Sequence, residues 1–275
     1  MNSPEWAGAI HGRGLRALAR VLGSTSVGGA TFDAPGVSAC IVPAAIDEKG
    51  VNFVAHTARD ALVPRLPHIA GMYQAVGIQQ WSVYVPESEH TVAKSLEAMG
   101  YRSQKRARAI LLDLSAFDPR PVGDLDYLSN TDLSMFGRIS AAAYDRPALA
   151  RAFGQKPDTP HLRVYQARLD GAPVCALLTI DVASDRGLDC AAYFLGTVPS
   201  ARGRGIAPRL FTAALLEARS RGCATCSCQA SAMGAPLWAR MGFETVFYFN
   251  CFAPEKGAQA LTGAADLAAC SIFAQ

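Results

Sequence analysis

An α/β (α+β) fold built from two similar halves is predicted by three features of the sequence. Short apolar, strand-like runs alternate with helical stripes along most of the chain. At 275 residues, of which 50 % are hydrophobic, the chain can bury one large core or two modest ones without disulfides or metal. The order helix, strand, helix, strand occurs twice, and each time the second helix closes on Met-Gly-aromatic, at Met99-Gly100-Tyr101 and at Met241-Gly242-Phe243.

The elements follow in order. Residues 1–35 read as an amphipathic helix and a Gly/Ser/Thr-rich loop at 23–31. Short strands are expected at 38–43 and 51–55, with Glu48-Lys49-Gly50 turning between them. Residues 64–76 carry helical spacing (Leu66, Ile69, Ala70, Tyr73) and stop at Gly77, which suits the position after a helix. Residues 81–85 alternate as a strand and end at Pro86. A helix at 91–99 and a strand at 107–114 complete the first half. Residues 117–123, Phe-Asp-Pro-Arg-Pro-Val-Gly, form a linker. Beyond it, 133–153 is helical and broken at Pro147. Strands at 163–169 and 173–182 are joined by Asp170-Gly171, a favoured hairpin turn. A strand at 188–198, a helix at 205–222, a strand at 224–230, a helix at 235–241 and a strand at 245–252 follow. The units are therefore 1–118, 119–255 and a tail at 256–275.

Composition excludes several classes. The net charge of +3 lacks the basic excess of a nucleic-acid binder. No run of about 18 apolar residues offers a membrane span. The N-terminal stretch is interrupted by Arg16 and Arg20 and lacks the apolar centre of a signal peptide. Of the eight cysteines, Cys40, Cys175, Cys190 and Cys251 lie in apolar runs, which fits free thiols in a reducing, cytoplasmic setting. Cys223, Cys226 and Cys228 have no second Cys/His pair to complete a metal site and read as core packing; no metal is expected. His161 reads as a surface-loop residue.

Chemistry concentrates between Gly196 and Leu210. A strand ends at Val198-Pro199, Gly203 and Gly205 follow, and a helix begins with Pro208 in its first turn, where a missing N–H costs little. Free first-turn amides and the helix dipole favour an anion there, and glycine lets phosphate approach the backbone. Arg202, Arg204 and Arg209 bring guanidinium groups to the same place. The Lys-Ser/Thr of a P-loop is absent, and Pro208 stands where a dinucleotide fingerprint has its third glycine.

Arg202-Gly203-Arg204-Gly205-Ile206-Ala207 resembles the pyrophosphate loop, Gln/Arg-x-x-Gly-x-Gly/Ala, of the Gcn5-related N-acetyltransferases. The preceding Val198-x-x-x-Arg202 and the later Leu237-Trp238-x-x-Met241-Gly242-Phe243 also resemble that family's sequence, over about residues 163–252. The resemblance implies a mixed, largely antiparallel sheet flanked by helices, with acetyl-CoA as cosubstrate. Amides of Gly203, Arg204, Gly205, Ile206 and Ala207 would cradle its pyrophosphate. The strand end Leu195, Gly196, Thr197 and Val198 would pair with the pantetheine arm, and an amide there would hold the acetyl carbonyl and stabilise its oxyanion.

Two positions depart from the family. Ser231 stands where asparagine is frequent, and its hydroxyl could still bond the pantetheine. Trp238 replaces the tyrosine that protonates the leaving thiolate, and an indole N–H is no usable acid. The thiolate then leaves unprotonated or takes a proton from another group. Asp189 is the candidate general base, through water, and Tyr193 the candidate substrate-binding residue or acid. In the first half the corresponding loop, residues 56–61, has no glycine, so that half is expected to be a degenerate unit that helps wall the acceptor cleft. The expected reaction is direct attack of a small-molecule primary amine on acetyl-CoA. The rival is an acyl-CoA sensor or scaffold that kept the loop and lost the chemistry; a purely structural protein is a third reading. A homodimer is compatible with the sequence.

Overall fold

The computed structural model describes residues 4–48, 50–130, 132–154, 161–231 and 234–255; the tail expected at 256–275 lies outside them. The first half consists of α1 (Pro4–Thr25), β1 (Ala30–Ala34), β2 (Val37–Ile41), β3 (Phe53–His56), α2 (Arg59–Leu62), α3 (Leu66–Ala75), β4 (Ser82–Pro86), α4 (His90–Ala98) and β5 (Tyr101–Asp113). The second consists of β6 (Tyr127–Asn130), α5 (Leu133–Tyr144), α6 (Leu149–Ala152), β7 (Leu162–Leu169), β8 (Ala172–Ser184), β9 (Gly187–Thr197), α7 (Ile206–Ser220), β10 (Cys223–Ala230), α8 (Ala235–Arg240) and β11 (Glu244–Pro254).

Local chemistry explains most boundaries. Asp132 caps α5 by accepting a hydrogen bond from the Met135 amide at 3.0 Å. Pro147 separates α5 from α6, as expected. Asp170 and Gly171 both take positive φ, 51° and 76°, the geometry of a two-residue hairpin turn between β7 and β8. Gly100 and Gly242, the glycines of the repeated tripeptide, sit at φ 83° and 89° after α4 and α8, so both helices end by the same left-handed turn.

All strands form one eleven-stranded sheet, in the order β1-β2-β3-β4-β11-β5-β10-β9-β8-β7-β6. It is mostly antiparallel; β3/β4 and β9/β10 are parallel, each joined by a helical crossover. At the centre the halves exchange strands. β11, the last strand of the second half, pairs with β4 of the first, and β5, the last strand of the first half, pairs with β10 of the second. β5 and β11 also pair with each other from Glu244↔Leu111 to Pro254↔Tyr101. The sheet thus runs through the linker boundary at 117–123.

Helices cover both faces. α1 and α5–α6 lie on one face, burying Leu15, Leu18 and Leu22 with Phe53, Phe136, Ala191 and Phe249. α7 covers the other face of the second half through Leu210, Phe211, Ala214 and Leu215. α3 and α4 cover that same face of the first half, around Val54, Ile69, Tyr73 and Val83. No helix among the described residues is long and apolar enough to cross a membrane.

Three strands differ from the sequence expectation. β1 lies partly in what reads as a loop, β6 in the stretch between the linker and residue 133, where no element is expected, and β5 begins at Tyr101 rather than 107. β1 and β6 are the two sheet edges, where only one neighbour and little burial reward apolar residues. The early part of β5 is Arg102-Ser103-Gln104-Lys105-Arg106, largely exposed, and becomes a strand because β11 lies beside it.

Close packing of α1 makes a prediction. A Cβ on Gly14 would lie 2.7 Å from Tyr193 Oη and 2.9 Å from the Ala191 Cβ, whereas one on Gly8 meets nothing within 4 Å. Glycine to alanine inside a helix ordinarily gains about 1 kcal/mol. Gly8→Ala is expected to show that gain in urea denaturation. Gly14→Ala is expected to lose stability, by about 1–3 kcal/mol of overpacking; equal gains at both positions would show that α1 is not pressed against β9.

Candidate active site

β9 runs into a single tight turn at Pro199–Ala201, and the chain then makes the bend Arg202–Gly205 before α7. Gly203 and Gly205 take φ of 77° and 70°, a conformation in which any side chain is strained, and both face open space. No backbone carbonyl accepts from the amides of Gly203, Arg204 or Gly205 among the described residues. Those of Ile206 and Ala207 belong to the first helical turn and have no partner within the helix. Consecutive amides therefore converge at the positive end of the helix dipole.

The arginines divide their labour. Arg202 Nη2 donates to the Ala143 carbonyl at 2.7 Å and its Nε to the Thr197 carbonyl at 3.2 Å, tying the loop to the end of α5. Arg209 donates to the Val122 carbonyl at 2.7 Å and pairs with Asp124 at 2.8 Å, anchoring the linker. Arg204 is exposed and, unlike the other two, makes no hydrogen bond or ion pair among the described residues. The sequence reading of three guanidinium groups offered to one anion is corrected to one, because the others satisfy orphan carbonyls and an aspartate of the protein itself.

Beside this loop the sheet opens. β9 and β10 are paired as far as Ala192↔Cys228 and separate beyond it. At that point β9 bulges: Phe194 and Leu195 together stand opposite Leu177 of β8, and Phe194 adopts φ 55°, rare for a bulky residue. The Val198 amide donates to the Val174 carbonyl at 2.9 Å, so it is spent on β8 and does not face the opening, contrary to expectation. Strand alternation leaves the Thr197 amide on the side that β10 has vacated. The Leu195 carbonyl accepts the Tyr144 hydroxyl at 2.8 Å, which fixes the bulge to α5.

A cleft of about 340 Å³ occupies the opening. On the α7/α8 side it is lined by Leu195, Ala207, Ser231, Leu237 and Trp238; on the α1/α5 side by Leu15, Phe53, Tyr84, Tyr144 and Phe194. It therefore passes through the sheet from one face to the other. A second hollow of about 330 Å³, between the linker, Gly205, Thr212 and Arg240, shares Leu237 with it. Ser231 is at the cleft but its Oγ accepts the Gly234 amide at 3.1 Å and so starts α8. Trp238 packs edge-on against Phe211 at 5.0 Å and Phe243 at 5.4 Å while lining the cleft.

The catalytic candidates fare differently. Asp189 does not line the cleft; it is fully buried beneath α1, accepting hydrogen bonds from Thr225 and Ser227 at 2.6 Å each. Burial raises its carboxyl to about 7 despite those donors. It is a structural carboxyl, not a base poised at the opening. Tyr193 does line the cleft, but its hydroxyl lies against Gly14 of α1, and burial raises its pKa well above the usual tyrosine value. The sequence reading missed Gln229, which lines the cleft at the end of β10 and meets His11 Nδ1 at 3.2 Å. Only tertiary structure brings residues 11 and 229 together. Cys226 and Cys228 are buried in the core, and no group of three or more His, Cys, Asp or Glu among the described residues is placed to hold a metal ion.

At the matching place in the first half, β3 leads to α2 without glycine. His56 is buried there, with Nε2 at 3.5 Å from Glu89, and Arg59 pairs with the same carboxylate at 3.4 Å. Burial, then Arg59, lowers His56 to about 4. The corresponding turn of the first half thus carries a His56–Glu89–Arg59 cluster rather than glycines.

Comparison with known proteins accords with this geometry. Residues 132–243 match the model of the acetyltransferase (GNAT) family. A GCN5-related N-acetyltransferase from Kribbella flavida superposes with a TM-score of 0.61 at 16 % identity, covering 90 % of this chain and 95 % of that one. A protein assigned to the GNAT family from Novosphingobium aromaticivorans gives 0.53 at 15 % identity, over 93 % and 98 %. Likeness at these identities is one of fold, and it spans both halves. Among curated proteins no relative matches the sequence. Residues 132–243 thus match the acetyltransferase (GNAT) family, whose fold supports acyl transfer. Members of the family generally use acetyl-CoA.

Two predictions follow from the site's internal bonds. Arg202→Ala is expected to lower stability by about 1–3 kcal/mol, the worth of hydrogen bonds from a charged group, while Arg204→Ala leaves the melting curve in place; equal effects in thermal melts would contradict the division of roles. Asp189 has a raised folded pKa, so folding disfavours its charged form. Its penalty is absent below about pH 4 and complete above about pH 7. Wild type should therefore lose a few kcal/mol relative to Asp189→Asn as pH rises across that window. Denaturation curves at pH 4.5 and 7.5 test this; a pH-independent difference would mean that the carboxyl does not titrate there.

Proposed function

We propose that the protein transfers the acetyl group of acetyl-CoA to a primary amine of a small-molecule acceptor by direct attack, with 119–255 as the acting unit and 1–118 as a degenerate GNAT-like unit that walls the acceptor side. The observation that carries this reading is the separation of β9 from β10 immediately beside the bare amides at the start of α7. The residues present fit acetyl-CoA. Amides from Gly203 to Ala207 and the unpaired Arg204 suit its pyrophosphate, and the vacated edge of β9 suits the amide-bearing pantetheine arm. The hollow bounded by the linker and Arg240 continues from Gly205 and suits the nucleotide end.

Bound acetyl-CoA supplies an activated thioester. The protein's part is to hold the arm in the opening, to present an amide of the Phe194–Leu195 bulge to the acetyl carbonyl, and to exclude water with aromatic walls. Among the described residues, the cleft-lining side chains include no carboxylate and no imidazole. The amine therefore has to arrive neutral or shed its proton to water, and with Trp238 in place of the family's tyrosine the thiolate leaves unprotonated, which a thiol pKa of about 8.5 permits. Retention of the free amides and the through-sheet cleft favours an enzyme over a sensor.

Thermal melts with acetyl-CoA test the reading. At ligand a hundredfold above its Kd, stabilisation of about 2.7 kcal/mol is expected, several degrees for a chain of this size at roughly 2–4 °C per kcal/mol. Gly205→Asp, which puts a carboxylate among the amides, should abolish the shift. A folded protein that shows no shift at millimolar acetyl-CoA would sink the proposal.

A further inference from the structure

The end of the cleft beyond the sheet is chemically unlike the end facing α7. Its walls are Leu15 and Leu18 of α1, Phe53 of β3, Tyr84 of β4, Leu149 of α6 and Phe194 of the bulge. The aromatic members are held in place. Tyr84 is wedged edge-on between Phe53 at 5.5 Å and Phe249 at 5.7 Å, and Phe194 is fixed by Phe153 at 5.5 Å and Phe136 at 6.2 Å. Such a pocket is preformed and keeps an apolar shape.

Charge is neutralised at this end. Arg146, which lines the cleft, pairs with Glu48 at 3.3 Å, so the nearby carboxylate already has its cation. A polycationic acceptor would have to desolvate its second ammonium with no counter-charge on these walls. One neutral polar group stands where the strands part: Gln229. His11, fully buried, holds one end of the Gln229 amide, and the other end is left for the cleft whichever tautomer the imidazole takes. Burial lowers His11 to about 3, so the ring stays uncharged and the pair adds no charge to the pocket. At about 340 Å³ the cleft lies at the small end of ligand pockets and must also take the thioester end of the arm, which limits the acceptor to roughly the size of one ring.

Building on the acetyl-transfer reading, we infer that the acceptor is a monoamine carried on an apolar body of aromatic-ring size, its ring among the first-half and α1 residues and its amino group beside the Gln229 amide. Four of these walls, Leu15, Leu18, Phe53 and Tyr84, come from the half that has no phosphate loop, which assigns that half a part in specificity.

Release of free thiol from acetyl-CoA by the full-length protein, measured with 2-phenylethylamine, methylamine and spermidine, tests the inference. The ring should raise kcat/KM at least tenfold over either of the others, since each 1.4 kcal/mol of ring burial is tenfold. Gln229→Leu should weaken catalysis with the arylalkylamine while leaving the acetyl-CoA thermal shift intact. Tyr84→Leu should raise KM for it more than it lowers kcat. Spermidine equal to or better than phenylethylamine overturns the inference and leaves acetyl transfer standing. So does octanoyl-CoA outperforming acetyl-CoA with no preference for the ring, because the apolar end would then hold the acyl chain. Absence of any acetyl-CoA shift removes the acetyl-transfer reading and this inference with it.

Discussion

Each half of the molecule ends its sheet with a strand borrowed from the other: β11 completes β4, and β5 completes β10. An isolated half would leave an unpaired strand edge beside β4 or β10, the kind of edge that invites aggregation. Exchange satisfies both edges at once, and the long β5–β11 pairing at the centre follows from it. The position of α1 depends on this arrangement as well, since the helix lies across strands of both halves and buries Leu15, Leu18 and Leu22 against them. A single continuous sheet then places Phe53 and Tyr84 of one half opposite Leu195 and Trp238 of the other across one cleft.

The cleft exists because one parallel pair fails to continue. Up to Ala192 and Cys228 the strands are bonded; beyond, β9 is bent by the Phe194–Leu195 bulge and held by Tyr144, while β10 turns toward α8. Opening a sheet exposes backbone polar groups that must find partners. Val198 finds β8, Leu195 finds Tyr144, Thr197 finds Arg202, and the remainder is the edge that suits a ligand with amides of its own. Arg202 and Arg209 belong to this same accounting: they complete orphan carbonyls around the loop, while Arg204 has no partner among the described residues. Polar groups that the ligand does not need are withdrawn from the cleft, as with Asp189 beneath α1 and the His11 ring behind Gln229.

The halves repeat one topology with different chemistry. β3 to β4 and β9 to β10 are both parallel crossovers, and both are followed by a helix that ends at a left-handed glycine. In the second half Gly203 and Gly205 keep the helix start bare; in the first, Glu89, Arg59 and His56 cluster there. Without glycine the close approach a phosphate needs is missing there, and Glu89 instead pairs with Arg59 and His56. The first half then retains walls rather than a loop.

Much of this was legible locally. Periodicity marked most helices and inner strands, turn chemistry marked Asp170-Gly171, Pro147, Gly100 and Gly242, and the glycines at 203 and 205 marked the open loop before α7, because each of these depends on residues a few positions apart. What the sequence could not disclose is non-local. The strand character of 101–106 is conferred by β11, more than a hundred residues away, on a stretch too polar to announce itself. The edge strands β1 and β6 bury too little to carry an apolar pattern. The roles of Arg202, Arg209, Asp189 and Gln229 depend on partners at Ala143, Val122, Thr225 and His11, and hydrogen-bond partners separated by tens to hundreds of residues leave no trace in spacing. The sequence by itself therefore determined the elements and the place of the glycine loop; the tertiary structure decided which charges are spent internally and which side chains wall the cleft.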